Sequence, residues 1–402
     1  MSMRWIPAAL FLLAPPLAAQ NAPHRAFVTS VQGNGNLASW ADSGGRAGLA
    51  GADAVCRARA RAANLVNADA FVAWLSDTSD DAYCRAHGLR GKRSANCGLT
   101  QLPTDAGPWQ RTDDRLIAAS LADQLAGRLF HPINRDEFGR PLPFTGYVQT
   151  IADGTDAAGA NAAGADCNGW STSAGAAMSV GGADSTSGGW SAGGGVGCNI
   201  TARLYCLEPG SGNAAAARPR EFGKREAFVT DGGGPGNFAE WPEMQGQSGI
   251  AAADAICRLR AASAGLHRPD RFKALLSDGA TPAFARVTEP GLPWVRRDGV
   301  RLADDLAALQ AGATWTPLNV TEAGRYTTNI GVWTGIGADG GAAAEQCSGW
   351  SDAAARGGTL TANIAGPLWL RTSYAYACST RYALYCLSDA DTLFHAGFEA
   401  PR

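Results

Sequence analysis

Lysine is nearly missing from this chain: of 34 basic residues only Lys92, Lys224 and Lys273 are lysine, and the rest are arginine. Charge of either sign is sparse, at 17% of 402 residues, and it almost cancels to a formal net charge of -2. A protein that holds nucleic acid by bulk charge needs a clustered excess of Lys and Arg, so no nucleic-acid partner is expected. Histidine is scarce too, with His24, His87, His131, His267 and His395 the full set. None is accompanied by a nucleophile-elbow, zinc-helix or phosphate-loop motif, which leaves an enzyme without its usual signatures. No internal apolar run reaches the roughly 20 residues that a membrane-spanning helix needs, so no transmembrane segment is expected.

What is present is a hydrophobic fraction of 46%, 51 glycines and ten cysteines. Residues 1–19 read as a signal peptide: Arg4 supplies the basic start, Trp5 to Leu17 are apolar, and Leu17-Ala18-Ala19 offers small residues for cleavage. The cysteines then lie in an exported chain, where disulfides persist, and the expected location is extracellular, on the cell surface or in a periplasm.

The chain repeats itself. Ala26-Phe27-Val28-Thr29 recurs as Ala227-Phe228-Val229-Thr230, and Ala52-Asp53-Ala54 before Cys56 recurs as Ala253-Asp254-Ala255 before Cys257. Leu75-Ser76-Asp77, Trp109, and Cys167-Asn168-Gly169-Trp170-Ser171 recur as Leu276-Ser277-Asp278, Trp294, and Cys347-Ser348-Gly349-Trp350-Ser351. Leu204-Tyr205-Cys206 returns as Leu384-Tyr385-Cys386. A repeat this long means tandem globular domains, 26–207 and 227–387, with a Pro- and Gly-bearing linker at 208–222 and a tail at 388–402. The first copy is longer between Ser76 and Trp109, which marks an insertion at about 78–105. It holds Cys84 and Cys97, the two cysteines without counterparts, which most simply bond to each other across a polar loop. The four cysteines left in each copy allow three connectivities apiece, and counting does not choose among them.

Leu49, Ala52, Cys56 and Ala60, and likewise Ile250, Ala253, Cys257 and Ala261, fall at helical spacing. Each copy is therefore read as an opening strand, a helix carrying the first cysteine, a second short helix (Asp114 to Leu125; Gly299 to Leu309), and short β-pieces ending in a terminal strand. The expected class is α+β, with two helices and a small, mostly antiparallel sheet per copy.

The order of Cys257, Ala264-Gly265-Leu266, Phe272 to Ser277, Val332-Trp333-Thr334-Gly335, Cys347-x-Gly-Trp350, Cys378 and Leu384-Tyr385-Cys386 resembles the endostatin (collagen noncollagenous) domain. It is similar also to exported bacterial domains of the same C-type-lectin-like fold. The resemblance covers nearly all of both copies. It implies two tandem C-type-lectin-like domains with nested disulfides: Cys56–Cys206 enclosing Cys167–Cys198, and Cys257–Cys386 enclosing Cys347–Cys378. Where copy two has Trp333-Thr334-Gly335, copy one is aligned at Gly146-Tyr147-Val148, so its central strand is expected to differ. Endostatin's zinc site does not carry over, since only His24 stands near a domain start, and the calcium motifs of sugar-binding lectins are absent. No metal and no cofactor is expected.

Candidate ligand residues follow from duplication and loop position. The set Pro-x-Asn-x-x-Glu supplies Asn134 with Glu137 and Asn319 with Glu322, which either contact a ligand or fix a turn. Trp190, in the Gly-rich loop closed by Cys167 and Cys198, is expected to be exposed, and its counterpart loop offers Trp369, Tyr374 and Tyr376. Arginines from Arg258 to Arg301 read by default as a solvated face. The function expected from all this is non-enzymatic binding or adhesion to a glycan, matrix or envelope ligand, with two copies adding avidity. The alternatives are a structural surface protein and, behind it, a secreted hydrolase.

Overall fold

The computed structural model describes residues 24–143, 149–212 and 225–389, except 245, 280, 288–291, 329, 338 and 370–373. The expected signal peptide, the tail from 390, the linker from 213 and Gly146 to Val148 lie outside the described residues.

Copy one runs β1 (His24–Val28), α1 (Gly48–Ala62), β2 (Val72–Ala73), α2 (Ala82–Ala86), β3 (Trp109–Arg111), α3 (Leu121–Leu125), β4 (Thr150–Ala152), α4 (Cys167–Trp170), β5 (Ala177–Gly182), β6 (Gly194–Gly197) and β7 (Tyr205–Leu207). Copy two runs β8 (Arg225–Val229), α5 (Gly249–Ser263), β9 (Phe272–Ala274), β10 (Trp294–Arg296), β11 (Arg301–Ala303), α6 (Leu306–Gln310), β12 (Gly331–Trp333), α7 (Cys347–Trp350), β13 (Arg356–Thr361), β14 (Tyr374–Ala377) and β15 (Ala383–Ser388). The architecture is mixed α+β, with three sheets and five disulfides.

Helix α1 buries the stripe that its spacing predicts, Leu49, Ala52, Cys56 and Ala60, and α5 buries Ala253, Cys257 and Ala261 of its own, with Ile250 only half-buried and Ile256 buried beside them. The second helices are shorter than the sequence reading. Ser120 and Asp305 cap them by accepting from the Asp123 and Ala308 amides at 3.0 and 2.7 Å, which fixes their first turn. Residues ahead of the caps instead form a strand or turn: Arg301–Ala303 pairs with β10, and Asp114 takes a positive φ.

In copy two the strands join into one eight-stranded sheet, ordered β11-β10-β8-β15-β12-β13-β14, with β9 also on β15. In copy one they form a four-stranded sheet, β2-β7-β1-β3, and a three-stranded one, β4-β5-β6. The difference lies in one strand. β15 begins at Ala383 and pairs in parallel with Val332 and Trp333, whereas β7 begins only at Tyr205, and β4 meets its approach through the single bridge Ile151 to Arg203. The sheets are mostly antiparallel, with β1–β3, β8–β10 and β12–β15 the parallel pairs.

Cys56 is bonded to Cys206, Cys167 to Cys198, Cys257 to Cys386, Cys347 to Cys378, and Cys84 to Cys97. The first and third of these bonds tie the long helix to the terminal strand, and each closes nearly the whole copy. The Cys-x-Gly-Trp segments form single turns in which all four residues, Cys167 to Trp170 and Cys347 to Trp350, have positive φ. Such geometry costs about 1–2 kcal/mol per non-glycine residue. It is held by the disulfide at one end and, at the other, by the Trp170 and Trp350 indole N–H groups, which donate to the Ser76 and Ser277 carbonyls at 2.7 and 2.8 Å.

Three expectations on organisation change. The segment at 78–105 is not a polar loop throughout: Ala82 to Ala86 are buried, and Arg85 donates to Asp53 and to the Ala73 carbonyl, while 88–96 and 98–105 stay exposed or half-buried. Arg286 does the same with Asp254 and the Ala274 carbonyl, so Ala82-Tyr83-x-Arg85 is the counterpart of Ala283-Phe284-x-Arg286. The added residues therefore start after this pair. Glu208 to Gly212, read as linker, is bound along copy one: the Glu208, Gly210 and Gly212 amides donate to the Arg25, Ala86 and Gly107 carbonyls. The copy-one strand matching β12 is Thr150–Ala152, not the segment at 146–148. Gly154 follows it as Gly335 follows Trp333, and a Cβ on either glycine would stand 2.6 or 2.8 Å from the Trp170 or Trp350 ring.

Candidate functional site

The duplicated Asn and Glu side chains lie inside the molecule. Arg111 and Arg296 have no solvent exposure, and burial pulls the Arg111 guanidinium down to about 10. Buried guanidinium groups require acceptors. Asn134 and Asn319 accept from Arg111 and Arg296 at 2.7 and 2.8 Å, and Asp113 and Asp298 pair with the same two groups. Glu137 accepts from the Ser30 amide, and Glu322 from the Asp231 amide, both at 2.9 Å. Glu322 also faces Arg260. Each Pro-x-Asn-x-x-Glu set thus locks a turn to a buried arginine and to the chain following the opening strand. Apart from the Asn319 Nδ2, which is buried with no hydrogen-bond partner among the described residues, the polar atoms that made the set a ligand candidate are used within the fold, the Asn134 Nδ2 donating to Asp184 at 3.1 Å.

Trp190 is also not where the sequence places it. It is 1% exposed, with its ring 5.1 Å from Trp74 and 5.6 Å from Tyr205, and its N–H donates to the Gln124 carbonyl at 2.9 Å. Trp369 is buried in the same way, against Tyr385, with its N–H on the Leu309 carbonyl. The glycines around Trp190 serve close packing: a Cβ on Gly181 would lie 1.9 Å from the Trp190 carbonyl oxygen. Beneath that loop Asp153 is fully buried, and burial raises its carboxyl above the usual range. It accepts from the Ala192 and Thr155 amides and from the Ser191 hydroxyl.

Tyr374 and Tyr376 are the candidates that reach the surface. β14 is the last strand of the eight-stranded sheet, and residues two apart on a strand share a face. Tyr374 is 66% exposed and Tyr376 43%. Their rings stand 6.4 Å apart, Tyr376 is 5.5 Å from half-buried Tyr382, and Tyr382 is 5.0 Å from buried Trp333, each pair edge to face. The result is an aromatic ladder that leads from the core to the edge of the sheet, fixed at its base by the Trp333 N–H on the Gly234 carbonyl at 3.0 Å. Arg356, on β13, donates to the Ala375 carbonyl within it. Tyr382 was legible as an aromatic near the last disulfide, yet only the fold brings it into line with the pair.

Copy one has no such ladder. β5 and β6 pair as β13 and β14 do, and the positions opposite Val180 and Met178 are Gly194 and Val196. A polar recess of about 280 Å³ opens in copy one between 31–34 and 39–42, beside Trp40. Its indole N–H is used by the Asn34 carbonyl, and Asp42 is paired with Arg59.

The arginines of copy two's first half are largely neutralised. Arg260 pairs with Glu243, Arg271 and Lys273 with Asp389, Arg286 with Asp254, Arg297 with Glu226, and Arg301 with Asp304. His131 is buried, its Nδ1 is 2.8 Å from the Leu116 carbonyl, and burial holds its pKa well below the usual value. Among the described residues no group of three or more His, Cys, Asp or Glu is placed to hold a metal ion, and no helix is long and apolar enough to cross a membrane. Comparison with protein-family models and with curated proteins finds no match for the chain.

Proposed function

We propose that this is an extracellular, non-enzymatic binding protein built from two C-type-lectin-like domains of the endostatin-like kind, and that it recognises a glycan, or a matrix or envelope component displaying one, through the tyrosine ladder of copy two. Five disulfides suit an oxidising compartment. The observation that carries the reading is the pair Tyr374 and Tyr376, large rings left open on an edge strand while the candidates Trp190 and Trp369 are buried. An amphipathic ring of this kind offers an apolar face for a pyranose and a hydroxyl for its substituents, at low entropy cost. Avidity from two equivalent sites drops out, because copy one carries Gly194 and Val196 at the matching positions.

A structural surface role is the second reading, favoured by the burial of Asn134, Glu137, Asn319, Glu322, Trp190 and Trp369. A glycan and matrix-protein array probed with the full chain separates the two. Binding that falls at least about tenfold in Tyr374→Ala/Tyr376→Ala, with thermal stability retained, supports the ladder. Absence of wild-type binding leaves the structural role, and undiminished binding by the variant removes the ladder as the site.

A further inference from the structure

The two copies touch through faces that correspond to each other in the repeat. Ser185 forms an antiparallel bridge with Ile364, and the Ala365 amide donates to the Asp184 carbonyl at 3.0 Å. Ser185 and Ile364 are equivalent positions, each five residues ahead of the buried Trp190 or Trp369. A residue that pairs with its own counterpart lies on a two-fold axis. The flanking contacts run both ways across that axis. Asn363 donates to the Ser187 hydroxyl at 3.3 Å, and the reciprocal positions, Asp184 and Gly366, also face each other.

The same exchange holds farther out. Arg115 and Val300 are equivalent, since their carbonyls accept from the Arg111 and Arg296 amides, each at 2.8 Å. Phe130 and Trp315 are equivalent too, since their amides donate to the Ile117 and Leu302 carbonyls. Arg115 of copy one lies over the Trp315 ring of copy two, 3.8 Å from its centroid. Reciprocally, Val300 of copy two packs in one apolar cluster with Phe130 and Leu116 of copy one. Residue i meets j, and j meets i: this is the contact pattern of an isologous dimer interface. Val300 sits at the turn between β10 and β11, yet it has no exposure, because copy one covers it. Arg296 adds a bond to the Leu129 carbonyl at 3.3 Å.

We infer that each copy presents a self-complementary face whose partner is a second copy of the same fold, and that the chain is an internally fused dimer, docked by this face and not by its linker. All five disulfides lie within one copy or the other. A protease site placed among residues 213–220 of the full chain therefore allows the folded protein to be cut into two pieces held only by these contacts. The cut protein is expected to elute as one particle at the mass of the intact chain, measured by light scattering. Val300→Asp puts an unpaired carboxylate in the apolar cluster, and is expected to weaken the pairing by about 10- to 100-fold and give two peaks. Ile364→Arg, at the axis, serves as the second variant, and peptide mapping of the disulfides checks that each piece stays folded. Separation of the unsubstituted pieces, or pieces that stay together in both variants, overturns the inference.

Discussion

Replacing Trp190 with alanine separates a packing role from a recognition role at the residue that the sequence marks as exposed. The indole is 1% exposed, sits between Trp74 and Tyr205, and satisfies the Gln124 carbonyl. Truncating a buried Trp of this kind costs about 3–5 kcal/mol through lost transfer energy and the cavity left behind. Losing the donor to a buried carbonyl adds to the cost, by roughly 1 kcal/mol or more. For a unit of this size each kcal/mol moves the melting temperature by about 2–4 °C, so a total of about 4–6 kcal/mol is expected to lower the copy-one transition by roughly 8–24 °C. Trp369→Ala should lower the copy-two transition by a similar amount, since Trp369 is packed against Tyr385 in the same manner. Calorimetry of the full chain, with hydrogen exchange to assign each transition to a copy, reads both. Variants that melt within about 2 °C of the wild type, in either copy, would refute the packing argument and return these rings to the surface.

Two further outcomes follow from buried groups in copy one. Burial raises the Asp153 carboxyl above its usual 3.8, so the folded chain keeps a proton that the unfolded chain has lost. From about that pH upward the group lowers stability until it ionises in the folded state, and the wild type should therefore lose stability relative to Asp153→Asn as pH rises through this window. Denaturant titrations of both proteins between about pH 4 and 7 measure the gap, and a gap that is flat or moves the other way counts against the assignment. The Cys84–Cys97 bond spans a separation of 13 residues, and on the chain-entropy estimate its removal in Cys84→Ala/Cys97→Ala costs about 3 kcal/mol. That loss should appear in the copy-one transition alone, and an equal fall in copy two would show that the insertion supports both.

The repeat was legible because the positions that recur as identical letters do work that few other side chains can do. Trp109 and Trp294, and Trp170 and Trp350, each bury a large ring and close a hydrogen bond to the main chain, and the paired cysteines each bury a covalent cross-link. The class of the fold and the two long helices were readable for the same reason, through stripe and cysteine together. Equivalence was harder to read where the shared feature is a contact and not a letter. Ala82-Tyr83-Cys84-Arg85 and Ala283-Phe284-Ala285-Arg286 perform one task, but Tyr against Phe and Cys against Ala conceal it, so the insertion is set too early in the sequence reading. The central strand of copy one was misplaced because Trp333 drew the alignment, whereas the invariant requirement is the close approach of Gly154 and Gly335 to a tryptophan ring. Burial of Trp190 is invisible in a glycine-rich stretch, because the same glycines that permit a mobile loop also permit a backbone to lie against an indole. The polar pair Asn134 and Glu137 looked like a site because its partners, Arg111 and Ser30, are remote in sequence. The two copies share their buried sets and differ at the surface, where Gly194 and Val196 stand against Tyr374 and Tyr376. On the function proposed above, a duplication that keeps its interior and differs at one edge strand places recognition in the copy that carries the rings, and leaves the other to pair with it.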